Sequence, residues 1–201
     1  MDSVLDHQDV PRRALSADTR MPNEGVRGPG RHVVHLAGRL GSGVVASIRT
    51  LTSHLAEAGV GQTLLSLERS FGARDHVHDS VEWLTVSTNR TGSLARWASL
   101  RHQFRLLVEA STVTDVHLHG VAAAWIGIRE LRRQPRPVRV FVSLHSARSR
   151  GVMVRLAELA CRASMMTSRS LRIGIIAEDA AEARRFGAWR SRAAILSAVS
   201  S

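Results

Sequence analysis

From Arg31 to the end of the chain, short apolar runs of strand length alternate with longer stretches whose apolar residues recur at helical spacing. Strands that are apolar on both faces must be covered on both sides. Helix-length crossovers are what let successive strands run parallel and supply that cover. The chain is therefore expected to be α/β, a Rossmann-like doubly wound parallel sheet of six or seven strands. The runs that read as strands are His32 to Ala37, Gln62 to Leu67, Val81 to Val86, Asp115 to His119, Val138 to Leu144 and Arg172 to Ala177. Between the first two, Val44, Val45, Ile48, Leu51, Leu55 and Ala58 form a helical stripe, and Gly59 stands where a left-handed residue would end that helix. A second helix opens near Ser93, with Leu94, Trp97, Ala98, Phe104, Leu107 and Val108 as its expected buried stripe. Further helices fit Val121 to Arg132, Val152 to Ala163 and Asp179 to Phe186, the last closed by Gly187. Residues 1–30 carry prolines, glycines and aspartates without a sustained apolar period and are expected to be a disordered tail, leaving 31–201 as the folded domain.

Composition removes whole classes of chemistry. The chain has 201 residues, 44% of them hydrophobic, the size of one ordinary domain plus an appendage, and a two-domain enzyme does not fit. All 28 of its basic residues are Arg, and it has neither Lys nor Tyr. A phosphate-loop lysine, a Schiff-base lysine and a Tyr/Lys proton relay are thereby excluded. The single Cys161 excludes an intramolecular disulfide and a cysteine-cluster metal site. No apolar window approaches the about 18 residues of a membrane span, and Met1 to Gly30 does not read as a secretory signal, so a cytoplasmic location is expected.

The first strand runs directly into Gly38-Arg39-Leu40-Gly41-Ser42-Gly43 and then into a helix. A glycine-rich turn at that junction presents backbone N–H groups and the positive helix end to an anion, and the absence of side chains lets a phosphate come close. The structural alternative is a tight turn that needs positive φ at Gly41 or Gly43. Gly41-x-Gly43-x-x-Ala46 also matches a dinucleotide fingerprint, with Glu68 22 residues beyond Ala46 as a ribose-binding acid. That leaves a non-catalytic dinucleotide-binding Rossmann protein as the competing reading.

Two strand-like runs end in histidine. Asp115-Val-His117-Leu-His119-Gly120 sets His117 and His119 on one face by the two-residue period, and Val140-Phe-Val-Ser-Leu-His145-Ser146 repeats the arrangement. In an open parallel sheet, ligands bind beyond the carboxyl ends of the strands, so Gly41, Gly43, His119 and His145 are expected to converge there. His119 and His145 are read as polar substrate contacts and His117 as a structural histidine. A metal site would need a third ligand in reach, and no conventional spacing supplies one, so none is expected.

In order and spacing, the elements His32 to Gly59, Asp115 to Gly120, Val142-Ser-Leu-His145-Ser and Ile173-Gly-Ile-Ile-Ala-Glu-Asp resemble the N-terminal, acceptor-side half of family-4 retaining glycosyltransferases of the GT-B fold, over about residues 32 to 196. The resemblance implies a nucleotide-sugar donor as substrate, no cofactor, and a carbohydrate or lipid-linked acceptor. Carried over by position, Gly41, Ser42 and Gly43 would line the donor diphosphate, His145 would lie beside the transferred sugar and His119 would belong to the acceptor pocket. The family's consecutive glycines are replaced here by Gly43-Val44, and the Ser after the last strand by Glu178. Where the family's hinge into a second domain would fall, the sequence reads Ile195 to Ser201. A nucleotide-sugar-binding domain or subunit is therefore expected to be supplied in trans, with the present chain a truncated remnant or an accessory of another transferase if it is not.

Charge is concentrated as well. Between Arg129 and Arg172 there are 11 Arg against Glu130 and Glu158, a net of +9 within a chain of +11. Arg148 and Arg150 closely follow His145 and are assigned to an anionic acceptor. The stretch with Val152, Val154, Leu156 and Leu159 would suit peripheral contact with an anionic membrane surface at its inner face. No recognition helix, zinc finger or aromatic platform accompanies the arginines, so nucleic acid is not an expected partner.

Overall fold

Seven strands, all parallel, form one sheet in the order β3-β2-β1-β4-β5-β6-β7. The computed structural model describes residues 31–38, 40–67, 77–86, 93–110, 113–143, 171–177 and 193–197, together with Leu159 and Ala163. The elements are β1 (His32–Ala37), α1 (Ser42–Glu57), β2 (Gly61–Ser66), β3 (Glu82–Thr85), α2 (Ser93–Ala110), β4 (Asp115–His119), α3 (Val121–Leu131), β5 (Arg139–Ser143), β6 (Arg172–Ala177) and β7 (Ala193–Ser197). Six strands coincide with the expected runs to within a residue. The seventh, Ala193-Ala-Ile-Leu-Ser197, lies beyond the expected runs and pairs with β6 from Ile173↔Ala193 to Ala177↔Ser197.

The chain leaves β1 toward β2 through α1, later crosses to the other side of β1 through α2, and proceeds outward through α3. Since parallel crossovers keep one hand, this reversal sends the helices to opposite faces. One face packs Val34, Leu36, Val116, Leu118, Val140 and Val142 against Leu100, Phe104, Ile128 and Leu131 of α2 and α3. The other sets Ala37, Leu64 and Trp83 against Ile48 of α1, with Val44 and Val45 at the margin. Gly59 ends α1 at φ +69°, the left-handed conformation its position predicts.

The buried stripe of α2 differs from the expected one. Leu94 is 85% exposed and Ala98 is exposed, whereas Leu100 is fully buried beside Phe104, Leu107 and Val108. At 3.6 residues per turn, Leu94 and Ala98 lie about 90° and 130° around the helix from the centre of that stripe. Trp97 keeps its expected inward position, partly buried against this core. A charged clasp joins the two helices of this face: Glu130, 2% exposed, receives Arg101 Nε and Arg133 Nη1 at 2.7 Å each on Oε1. The helix expected over 152–163 and that over 179–186 fall outside the described residues, apart from helical Leu159 and Ala163, both exposed.

Close packing of α3 on β4 sets a sign that helix propensity alone would get wrong. A Cβ at Gly127 would collide with Cδ2 of the fully buried Leu118 and crowd its Cδ1 and Cγ. Propensity favours Gly127→Ala by about 1 kcal/mol, while overpacking costs about 1–3 kcal/mol. The variant is expected to lower the urea midpoint at unchanged m-value; a raised midpoint would show that Leu118 yields at no cost.

Candidate functional site

The strand order reverses between β1 and β4, which pair directly from Val33↔Asp115 to Ala37↔His119. Their carboxyl ends are the sequences already singled out, the glycine turn after Ala37 and His119-Gly120. In the turn, Gly41 is the N-cap of α1 at φ −73°, ψ 165°, and its carbonyl accepts the Val45 N–H at 2.9 Å. Among the described residues, only Gly59 and Gly120 have positive φ. The tight-turn alternative for Gly41 and Gly43 therefore does not hold. A Cβ at either would meet nothing within 4 Å, and both residues are exposed. No side chain caps α1 and no acidic residue stands in its first turn. The result is a helix N-terminus with bare backbone at its mouth, the arrangement that admits a phosphate. Gly38 is glycine for another reason, since a Cβ there would strike the ring of Trp97.

His119 closes β4, and Gly120 at φ +86° turns the chain into α3 while its N–H donates to the Ser143 carbonyl at 2.6 Å. The imidazole is not a rim group. It is 3% exposed, with Nε2 3.3 Å from Nδ1 of His35. His117 is stacked on it, ring centroids 4.0 Å apart, and its Nε2 lies 2.8 Å from Ser143 Oγ. His117 is thus hydrogen-bonded to the neighbouring strand. The sheet also supplies what linear spacing does not, a third imidazole in reach. His35 pairs across the strand boundary with His117, and nitrogens of His35, His117 and His119 all lie within 4.8 Å of one another.

Beneath these rings sits a polar layer. Gln62 Nε2 donates to the Thr52 carbonyl at 2.9 Å, which turns Oε1 toward His35 Nε2 at 3.2 Å. Burial pushes His35 down from 6.5 to about 4; the Gln62 bond opposes that shift and nearby His32 adds to it slightly. His35, Gln62 and Ser143 are the site residues the sequence reading missed. The available signal was a histidine in the middle of the first strand, between Val34 and Leu36, at a parity that a β1–β4 pairing turns toward His117.

The remaining sequence-derived residues divide. His145, Arg148, Arg150 and Glu68 lie outside the described residues, as do Arg39, Glu178 and the side chain of Ser42. Part of the arginine-rich stretch is occupied elsewhere. Arg133 holds Glu130, and Arg139 Nε meets Asp115 Oδ1 at 2.7 Å, where β4 and β5 begin, away from the glycine turn. No helix among the described residues is long and apolar enough to cross a membrane.

No family model matches the sequence, and no curated protein does. Solved structures do match its fold. A glycosyltransferase from Rickettsia africae ESF-5 superposes with a TM-score of 0.59 at 10% identity, over 84% of this chain and 43% of that one. Sucrose-phosphate synthase from Thermosynechococcus elongatus gives 0.56 at 12% identity, over 83% and 47%. A ugt transferase from Siraitia grosvenorii in complex with UDP gives 0.54 at 10%, over 84% and 50%. The chain has the α/β, Rossmann-like fold found in these GT-B glycosyltransferases and spans half their length or less.

The buried His35 gives the chain a definite acid response. Between about pH 6.5 and 4 the unfolded chain binds this proton and the folded chain does not, so stability falls as pH drops through that window and is unaffected by His35 above it. The loss by pH 4 is of order 3 kcal/mol. Urea unfolding at stepped pH should show the slope, and His35→Gln should flatten it; an equally steep slope in the variant would assign the response to another group.

Proposed function

We propose that this chain is the acceptor-side half of a family-4-type retaining glycosyltransferase, moving a sugar from a nucleotide-sugar to a carbohydrate or lipid-linked acceptor. The observation that carries the reading is the open backbone of Gly41 and Gly43 at the uncapped start of α1, beside the β1–β4 reversal, in a fold shared with glycosyltransferases. Neither glycine is required by packing or by φ, and a bare backbone at a helix N-terminus suits close approach of an anionic ligand. In this reading the donor diphosphate rests on Gly41, Ser42 and Gly43, and His145 contacts the transferring sugar. His119 underlies the acceptor pocket, while Arg148 and Arg150 attract an anionic acceptor, with the inner membrane face as its location when that acceptor is lipid-linked. A nucleotide-sugar-binding domain or subunit closes the cleft, because half a cleft cannot exclude water or align donor and acceptor.

Two measurements test this. Gly43→Ala lies in the first turn of α1, where the added methyl meets nothing, so it should leave stability unchanged or raise it by up to about 1 kcal/mol. The same variant should weaken binding of UDP or a nucleotide-sugar by about tenfold or more, read by calorimetry on the full chain in EDTA. Equal affinity would remove the phosphate role. In a mixture with a nucleotide-sugar-binding half, His145→Ala should abolish transfer at nearly unchanged melting temperature, and undiminished transfer would sink the assignment. Stabilisation by NAD that Glu68→Ala abolishes would instead support dinucleotide binding.

A further inference from the structure

The two faces of β1, β4 and β5 are unlike. Toward α2 and α3 their buried residues are Val34, Leu36, Val116, Leu118, Val140 and Val142. Among the alternate positions, which also hold Val33, Ala37 and Phe141, stand His35, His117, His119 and Ser143, all four buried, with Gln62 beside them on β2. Polar side chains in such a place are costly unless tightly partnered, and hydrocarbon would have served packing equally well.

Their hydrogen bonds fix a specific state. The Thr52 carbonyl can only accept, so the Gln62 amide must present its nitrogen there and its oxygen to His35. His35 Nε2 therefore carries the proton, and Nδ1 carries the lone pair, directed at His119. Metal-binding histidines are held in just this manner, one nitrogen donating to a carbonyl and the other turned to the ion. The 3.3 Å between His35 Nδ1 and His119 Nε2 also matches the spacing of two nitrogens on one tetrahedral zinc ion, about 3.3 Å for bonds of 2.0–2.1 Å. His117 offers a ligand atom within 4.8 Å of both and would exchange its bond to Ser143 Oγ for the ion.

We propose that His35, His117 and His119 bind one divalent first-row transition ion of the zinc class, bridging β1 and β4 at the strand-order reversal and leaving a fourth position for water or another oxygen ligand. The ligand set contains imidazoles alone, which selects Zn2+, Co2+, Ni2+ or Cu2+ and disfavours Mg2+ and Ca2+. The ion ties together the two strands whose ends form the candidate anion site. The inference does not depend on sugar transfer.

The full chain, stripped with EDTA, is titrated with Zn2+ and with Co2+, and is also refolded in the presence of each so that burial cannot mask the site. The expected results are one ion per chain, a higher melting temperature with Zn2+ but not with Mg2+, and the intense visible bands of four-coordinate Co2+. His117→Gln and His119→Gln should each weaken Zn2+ binding about a hundredfold, and Gln62→Leu, which removes only the orienting carbonyl, by about 10–100-fold. His54→Gln, on the exposed side of α1, should change nothing. Wild-type protein that gives no four-coordinate Co2+ spectrum in either protocol overturns the proposal whether or not the variants fold. So does binding that survives His117→Gln and His119→Gln but is lost in His54→Gln. Because these readouts need no nucleotide and the nucleotide assay contains EDTA, failure of one proposal is distinguishable from failure of the other.

Discussion

β1 is the constraint on which the rest of the molecule depends, because it must satisfy hydrogen bonds on both edges and packing on both faces at once. Its edges are taken by β2 and β4, which arrive from opposite directions in the chain's path. Its faces are taken by helices of opposite crossovers. Thr114 and Gly61 extend the pairing past the strand's beginning by donating to the carbonyls of His32 and Arg31. A strand so enclosed cannot slip in register without turning His35 into the apolar layer beneath α2 and α3 and exchanging it for Val34 or Leu36. The histidine that makes the face polar therefore also makes the register unambiguous.

The division of labour between the two faces follows from that register. One is a continuous hydrocarbon wall, clasped at its helical side by Glu130 between two guanidinium groups. The other alternates a small apolar cluster around Ile48 with a polar layer running through Gln62, His35, His119, His117 and Ser143. Stability can rest mainly on the first while the second carries groups whose arrangement matters more than their burial. The glycine turn follows the end of β1 and His119 closes β4, its paired neighbour, so the exposed helix start and the imidazole cluster belong to the same end of the sheet.

Much of this was legible in the sequence because it rests on periodicity. Apolar runs and helical stripes mark six strands and three helices, and Gly59 marks the left-handed stop of α1. The glycine turn and His119 were recognisable from their positions at strand ends. What escaped was what depends on strand pairing. His35 lies 84 residues before His119 in sequence, and only the β1–β4 register brings them to 3.3 Å. Gln62 looked like the polar opening of a strand, and its role emerges only from its two simultaneous bonds. Leu94 was misread because hydrophobic character was taken for inward direction; the helix turns it away from the stripe that Leu100 completes. Arg139 counted toward a surface patch until its carboxylate partner on the adjacent strand came into view.

The indole of Trp97 resting on Gly38 carries a consequence for how such a chain can diverge. Positions 38 and 97 are one steric unit, and a side chain gained at 38 requires a smaller ring at 97, so the two should drift together across lineages. Positions 41 and 43 carry no such bond to a neighbour. A side chain gained there meets no obstacle, so these two positions are free to vary singly where position 38 is not.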